Sequence, residues 1–158
     1  MKRVAMLLLL GLSGCGFHLQ GRMLLPEPLR RIHIESADAQ TDFVQALREG
    51  LAASGATLTD LPGPAAATLD VSRDSVSERV LTVSKRNIAT DYELTYEVEV
   101  SVRGAGRELM APETLTLTRV YSFDEKQLLA KDREKAVLLD ALAREMAGVV
   151  LRRLSALQ

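Results

Sequence analysis

The sequence predicts one α+β domain, a two-layer sandwich with two helices on one face of a four-stranded, mostly antiparallel sheet. Its 158 residues suit a single domain, and a 47% hydrophobic content can fill one core. Alternation of apolar and polar residues indicates four strands, near 31–35, 67–84, 92–103 and 114–123. Apolar residues three and four apart indicate helices near 41–54 and 132–157. The order β-α-β-β-β-α lets both helices bury every apolar row together.

The two predicted helices carry recognisable start and stop signals. Thr41 is suited to cap the first helix, and Gly55 is placed to end it. Gly50 inside this helix costs about 1 kcal/mol relative to alanine, so the helix should depend on packing. Asp132 is the expected N-cap of the last helix. The stripe predicted to be buried on that helix comprises Leu138, Leu142, Met146, Val149 and Leu154.

The three later strands differ in regularity. Between 67 and 84 the apolar residues change face after Val71, which predicts a bulge or a strong bend near 73–77. From 92 to 103 the alternation is strict and indicates a strand with one wet face. A tight turn at 104–106 should lead into the last strand, where Pro112 marks an edge or irregular position. Arg119 falls on the apolar row of that strand. We expect its side chain either to snorkel to the surface or to pair with a nearby carboxylate.

The N-terminus has the pattern of a cleaved export signal. Lys2 and Arg3 precede a short apolar run, which is about half the roughly 20 residues that a membrane-spanning helix needs. The run ends in the segment 12–15, Leu-Ser-Gly-Cys, which closely resembles a bacterial lipobox. The resemblance implies removal of residues 1–14 and lipid attachment at Cys15, the only cysteine. Gly16, where enterobacterial lipoproteins retained in the inner membrane carry aspartate, favours the outer membrane.

These signals divide the chain into three parts. Residues 1–14 are the lipoprotein signal peptide, 15–29 the lipidated N-terminus and an extended tether, and 30–158 the single folded domain.

Signatures of enzymes, metals and cofactors are weak. The two histidines are far apart in the predicted fold, with His18 in the tether and His33 on the first strand, so no metal site is expected. Glu93, Glu97 and Glu99 lie on the wet row of a strand and show no sign of burial, which favours a solvated or partner-facing surface. No catalytic residue and no cofactor are therefore predicted.

One cationic cluster remains. In the predicted meander, the segment 84–90 and the segment 124–131 emerge at the same end of the sheet. This brings together four basic residues, Lys85, Arg86, Lys126 and Lys131. Such a rim suits a ligand with phosphate groups. The alternative is a solvated loop edge without a ligand.

In several places the chain resembles the LPS-assembly lipoprotein family LptE, also called rare lipoprotein B. The resemblance begins at 15–19, Cys-Gly-Phe-His-Leu, and returns at 90–92, Thr-Asp-Tyr, and at 129–132, Leu-Ala-Lys-Asp. The resemblance covers the whole mature chain. It implies a protein that is not an enzyme, is anchored in the outer membrane of a Gram-negative bacterium, and faces the periplasm and the barrel lumen.

The resemblance also implies partners. Members of this family plug the outer-membrane β-barrel LptD, assist its folding and bind lipopolysaccharide on its way to the outer leaflet. The basic positions that contact phosphates correspond here to Lys85 or Arg86 and to Lys131. Nucleic acid is not expected as a partner, because the net charge is −1.

Two other functions stay open on the sequence. The first is a free-standing outer-membrane lipoprotein that binds peptidoglycan or another periplasmic partner. The second is a hydrolase that uses the carboxylates of the open sheet face, with Glu97 as the residue to test.

Overall fold

The structure, a computed structural model, describes residues 25–122 and 128–157, with backbone alone for 128–132. The signal peptide, Cys15 and most of the tether lie outside these residues, as does Lys126. Within the described residues, no helix is both long and apolar enough to cross a membrane. The elements in chain order are a 3-10 turn Glu27–Leu29, β1 Arg31–Ser36, α1 Asp42–Ala53, β2 Thr57–Thr59, β3 Ala67–Val83, β4 Ala89–Gly104, β5 Arg107–Ser122 and α2 Leu128–Ser155.

The sheet is mixed and has five strands, in the order β2-β1-β3-β4-β5, so the prediction of four mostly antiparallel strands is wrong by one strand and in the share of parallel pairing. β1 runs parallel to both β2 and β3, whereas β3, β4 and β5 form an antiparallel meander. The missing strand, β2, is three residues long and too short to show alternation. Its residues pair with Arg31, Ile32 and His33 of β1, and the Thr57 amide donates to the carbonyl of Arg30, just before β1, at 2.7 Å.

The core lies between the two helices and one face of the sheet, as predicted. β4 contributes an unbroken buried row from Leu94 to Val102. α1 buries four residues in the same core, which are Phe43, Val44, Leu47 and Leu51. The capping predictions for α1 are confirmed, because Thr41 Oγ1 accepts a hydrogen bond from the Val44 amide at 3.2 Å and Gly55 has a φ of +87°.

The predictions for α2 are partly wrong. The helix begins at Leu128 and not after Asp132, because the segment 128–130, Leu-Leu-Ala, consists of strong helix formers. The predicted stripe is right for Leu142, Met146 and Leu154, which are buried. Leu138 and Val149 are only half-buried. At the level of Val149, Val150 and Leu151 occupy the core positions instead.

The predicted irregularity of β3 is a bulge at Ser72, one residue before the predicted range. Val71 pairs with Val100 and Arg73 pairs with Glu99, which leaves Ser72 as the extra residue. The bulge shifts the alternation by one residue and returns Val76 and Val80 to the helix-facing side. The apolar residues of β3 as far as Val80 therefore all lie on the helix-facing side of the sheet.

The domain is long in the strand direction. β4 contains 16 residues and spans about 50 Å at roughly 3.3 Å per residue. One end, here called the base, holds the start of β1 and the turn at Ala105 and Gly106. The other end, here called the tip, holds the turn between β3 and β4 at 84–88. β1 stops at Ser36, opposite Val71, so the upper half of β3 runs beyond it.

Asp91 joins the three meander strands at the tip. Its Oδ1 accepts a hydrogen bond from Ser122 Oγ of β5 at 2.8 Å, and its Oδ2 accepts one from Thr82 Oγ1 of β3. These bonds stabilise the carboxylate and hold the pKa of Asp91 below its ordinary value of 3.8, with the Thr82 bond as the largest cause.

Gly50 of α1 lies directly against Leu151 of α2. A Cβ built at this position would lie 2.3 Å from Leu151 Cδ1, and Leu151 is itself buried in the core. The glycine that weakens α1 in isolation is thus the residue that lets α2 pack against it.

We expect Gly50→Ala to lower the free energy of unfolding by about 1 kcal/mol, because overpacking of typically 1–3 kcal/mol exceeds the gain in helix propensity. Gly148→Ala on α2 is the matched control. There the added Cβ meets only Arg152 Nη1 at 3.5 Å, so stability should rise by about 0.5–1 kcal/mol. Urea denaturation measures both, and a Gly50→Ala variant more stable than the parent would contradict the packing argument.

We expect the double substitution of Thr82→Val and Ser122→Ala to raise the pKa of Asp91 toward its ordinary value, because both donors are removed. A lowered carboxyl pKa adds stability that is fully present above 3.8 and is lost as the pH falls through the lower folded value. Carboxyl NMR titration measures the shift. Ser77→Ala, lower on β3, should leave the titration unchanged, and an Asp91 pKa equal in the parent and the double variant would contradict the assignment.

Candidate ligand-binding tip and polar sheet face

The turn at the tip is built around Ser84. Its amide donates to the Ile88 carbonyl at 2.7 Å, and its Oγ accepts from the Arg86 and Ile88 amides, each at 3.3 Å. Asn87 takes a φ of 59°, a left-handed conformation that asparagine tolerates better than most residues. The consequence is a compact turn that is closed by its own hydrogen bonds.

Two of the predicted ligand residues project from this turn. Lys85 and Arg86 are exposed, and neither forms an ion pair with any residue that the structure describes. The nearby carboxylate of Asp91 is occupied by hydroxyl groups of β3 and β5. Within the described ranges 25–122 and 133–157, both side chains are therefore exposed cations without an acidic partner.

Apolar side chains lie next to these cations on β3. Val80, Leu81 and Val83 are 50%, 43% and 54% exposed, and a second irregularity in the pairing of β3 falls between Val80 and Thr82. Cationic groups beside exposed aliphatic ones match an amphiphile with an anionic headgroup better than a small inorganic anion.

Lys131 lies in the first turn of α2, and only its backbone is described. One turn later, Lys135 Nζ forms an ion pair with Glu78 Oε2 of β3, so this part of α2 lies against the upper half of the sheet. The chain thus brings the backbone of Lys131 to the same end as Lys85 and Arg86. Lys126, the fourth predicted member, lies outside the described residues.

The sheet face away from the helices is polar across its width. Ion pairs cross it between neighbouring strands, with Arg79 Nε 2.7 Å from Glu93 Oε1 and Arg73 Nη2 3.9 Å from Glu99 Oε2. On β5 this face carries a row of threonines that pair with residues of β4, at Thr114, Thr116 and Thr118. Two of the three carboxylates that the sequence offers for acid–base chemistry are therefore paired with arginines across the strands.

The structure gives His33 a structural role, because its Nδ1 lies 2.9 Å from the Thr59 carbonyl oxygen of β2. In the part of the chain that the structure describes, no three His, Cys, Asp or Glu side chains come together in a way that could hold a metal ion. His18 lies outside that part.

The alternative given for Arg119, a nearby carboxylate partner, is confirmed. Arg119 Nη2 of β5 forms an ion pair with Glu145 Oε2 of α2, and Arg153 Nη2 lies 2.9 Å from Glu113 Oε1 on the same two elements. These pairs hold α2 over the edge strand and leave the threonine rows on the other face open.

Sequence reasoning missed one feature, here called the β3 groove. It is a cavity of about 350 Å³ where β1 ends, and its walls include Thr41, Asp42, Asp74, Val76, Tyr96 and Leu139. Tyr96 Oη donates to Asp74 Oδ1 at 2.7 Å, and burial together with that carboxylate raises the pKa of Tyr96. Asp74 Oδ2 is buried and has no hydrogen-bond partner among the described residues. An acidic residue just after the bulge was the only signal in the sequence.

Comparison with known proteins agrees with this architecture. The chain is 27% identical over 163 residues to the LPS-assembly lipoprotein LptE of Yersinia enterocolitica, covering 98% of this chain and 77% of that protein. The corresponding protein of Yersinia pestis is 26% identical, with the same coverage.

Solved structures share the fold. Rare lipoprotein B from Shewanella oneidensis superposes with a TM-score of 0.71 at 25% identity, over 80% of this chain and 94% of that one. A lipoprotein B from Nitrosomonas europaea gives a TM-score of 0.74 at 25% identity, over 89% and 91%. The model of a protein family described as "LptE: Lipopolysaccharide-assembly" matches residues 29–154. Since that match takes in all five strands, α1 and nearly the whole of α2, the chain belongs to the LptE family.

Proposed function

We propose that this chain is an outer-membrane lipoprotein that fills the lumen of an LptD-type β-barrel, helps it assemble and binds lipopolysaccharide during transport to the outer leaflet. The signal peptide 1–14 is removed, Cys15 carries the lipid, and the residues up to 29 tether the domain 30–158. The observation that carries the proposal is the polar sheet face, in a chain of the LptE family.

The polar face suits the inside of a wide barrel. Strands of an outer-membrane barrel alternate apolar outward and polar inward, so a large barrel presents a polar wall to whatever fills it. The open face carries threonine and serine hydroxyls and paired charges. These groups bind water in the free domain and can bind the polar wall of the barrel instead. A free-standing domain gains nothing from such a face beyond solubility.

The length of the domain adds a geometric argument. The base lies near Leu25, ten residues after the proposed lipid at Cys15. The tip lies about 50 Å from the base, which exceeds the roughly 30 Å thickness of the hydrocarbon layer. A domain anchored in the periplasmic leaflet and standing along a barrel axis would carry its tip to the level of the outer leaflet.

The chemistry of the tip suits the proposed ligand. The lipid A part of lipopolysaccharide combines phosphate groups with acyl chains. Arg86 offers a planar guanidinium that can bind phosphate in a bidentate fashion, Lys85 and Lys131 offer point charges, and the exposed aliphatic residues of β3 lie beside the first two.

We expect the double reversal of Lys85→Glu and Arg86→Glu to weaken binding of purified lipopolysaccharide at least tenfold, because two charge-assisted contacts become repulsive. Adding Lys131→Glu should weaken it further. Arg107→Glu is the matched control, since Arg107 is an exposed arginine at the base. Photocrosslinking from the tip measures binding. Unchanged labelling of the double variant, with an unchanged circular dichroism spectrum, would remove the tip from the proposal.

The proposal as a whole is tested by purifying the chain from outer membranes in mild detergent. We expect a large β-barrel protein in about equal amount, and an intact mass for a chain that starts at Cys15 and carries acyl groups. Crosslinks to the barrel should form from Thr116 on the open face, and Ala136, which is exposed on α2, is the comparison site. Recovery of the chain without a barrel, bound to peptidoglycan fragments, would favour the free-standing lipoprotein instead.

A further inference from the structure

The outer edge of β3 is unpaired over its upper half. β1 covers this edge only as far as the pairing of Ser36 with Val71, and no other described strand lies beside it from Arg73 upward. A strand edge of this kind presents a row of backbone N–H and C=O groups that can pair with another extended chain. From Arg73 to Val80 the edge is eight residues long, about 26 Å.

Every second side chain of β3 along this edge points to the helix side of the sheet. Val76 and Val80 face the helix side and are nevertheless 43% and 50% exposed. Asp74, on the same row, opens into the β3 groove. An extended chain lying along β3 would place every second side chain over this row.

The lining of the β3 groove is acidic, which favours a positively charged side chain in it. Two carboxylates, Asp42 and Asp74, lie near the Tyr96 hydroxyl, and no lysine or arginine of the described residues lines the cavity. Asp74 Oδ1 accepts the Tyr96 hydroxyl and Oδ2 is buried without a donor among those residues, so the carboxylate is not neutralised from within the described part of the domain. A lysine or arginine side chain supplies both the donor and the positive charge.

The other long edge of the sheet lacks these features. β5 carries Pro112, which cannot donate to a ladder, and its helix-facing side is occupied by the ion pairs of Arg119 and Glu113 with α2. An extended chain should therefore bind to the β3 edge and not to the β5 edge, and an experiment can distinguish the two.

We propose that the β3 edge from Arg73 to Val80 binds an extended polypeptide segment of another protein, with a lysine or arginine side chain of that segment inserted into the β3 groove against Asp74. This site lies on the side of the domain that carries the helices, and Val80 at its upper end is the one residue that it shares with the surface proposed for the tip ligand.

The test uses the full lipidated chain in detergent and a labelled eight-residue peptide of alternating threonine and valine with one central lysine. We expect binding, and slower amide hydrogen exchange at 73–80 but not along β5. A peptide with glutamate in place of lysine should bind at least tenfold more weakly. A peptide with N-methyl groups on alternate amides, which blocks strand pairing, should not bind.

Asp74→Asn is the informative variant, because it keeps an acceptor for Tyr96 Oη and removes the charge. We expect Asp74→Asn to weaken binding of the lysine peptide about tenfold, whereas Glu97→Gln on the open face leaves that binding unchanged.

Three results would overturn the proposal. The first is equal binding of the lysine and glutamate peptides, or protection of β5 in place of β3. The second is a concentration-dependent dimer in sedimentation that is lost with Val76→Lys, because the edge would then bind a second copy. The third is absence of peptide binding, which would mean that the bulge and Asp74 merely protect the edge. None of these results would affect lipopolysaccharide binding at the tip, so the two proposals fail separately.

Discussion

The structure depends on the burial of one sheet face against two helices. The unbroken apolar row of β4, which includes Val98 and Val100, can be removed from water only on the side where α1 and α2 lie. The close approach at Gly50 brings those helices together over the row. Because the core is committed to this side, the opposite face is free to be polar, and that freedom supplies the surface proposed to meet a barrel.

The elements that local chemistry determines could be predicted from the sequence. The strict alternation of β4, the cap at Thr41, the turn after β4 and the edge position of Pro112 each depend on residues close together in the chain. β2 could not be predicted in this way, since three residues carry no period and β1 supplies its partners. The early start of α2 shows that strong helix formers before Asp132 outweigh the capping preference of that residue.

The candidate site was predictable to the extent that it follows from topology. An antiparallel meander must bring the β3–β4 turn and the end of β5 to one end of the sheet, so the placement of Lys85 and Arg86 could be worked out without coordinates. The β3 groove could not, because Asp74 and Tyr96 are 22 residues apart and meet only after the bulge at Ser72 has shifted the register. A sequence pattern indicates that a bulge exists, but it does not say which side chain the bulge turns inward.

The upper part of α2 is attached to the sheet differently from the lower part. From Leu142 onward the helix is held by buried aliphatic contacts, whereas Val137 is 66% exposed and Lys135 reaches β3 through an ion pair with Glu78. Glu78 also accepts a hydrogen bond from Tyr121 Oη at 3.2 Å, so this ion pair is half-buried. Salt screens such a pair in part, with a Debye length of about 8 Å at physiological ionic strength. The contact between Lys135 and the sheet consequently weakens as ionic strength rises, while the aliphatic contacts below it do not.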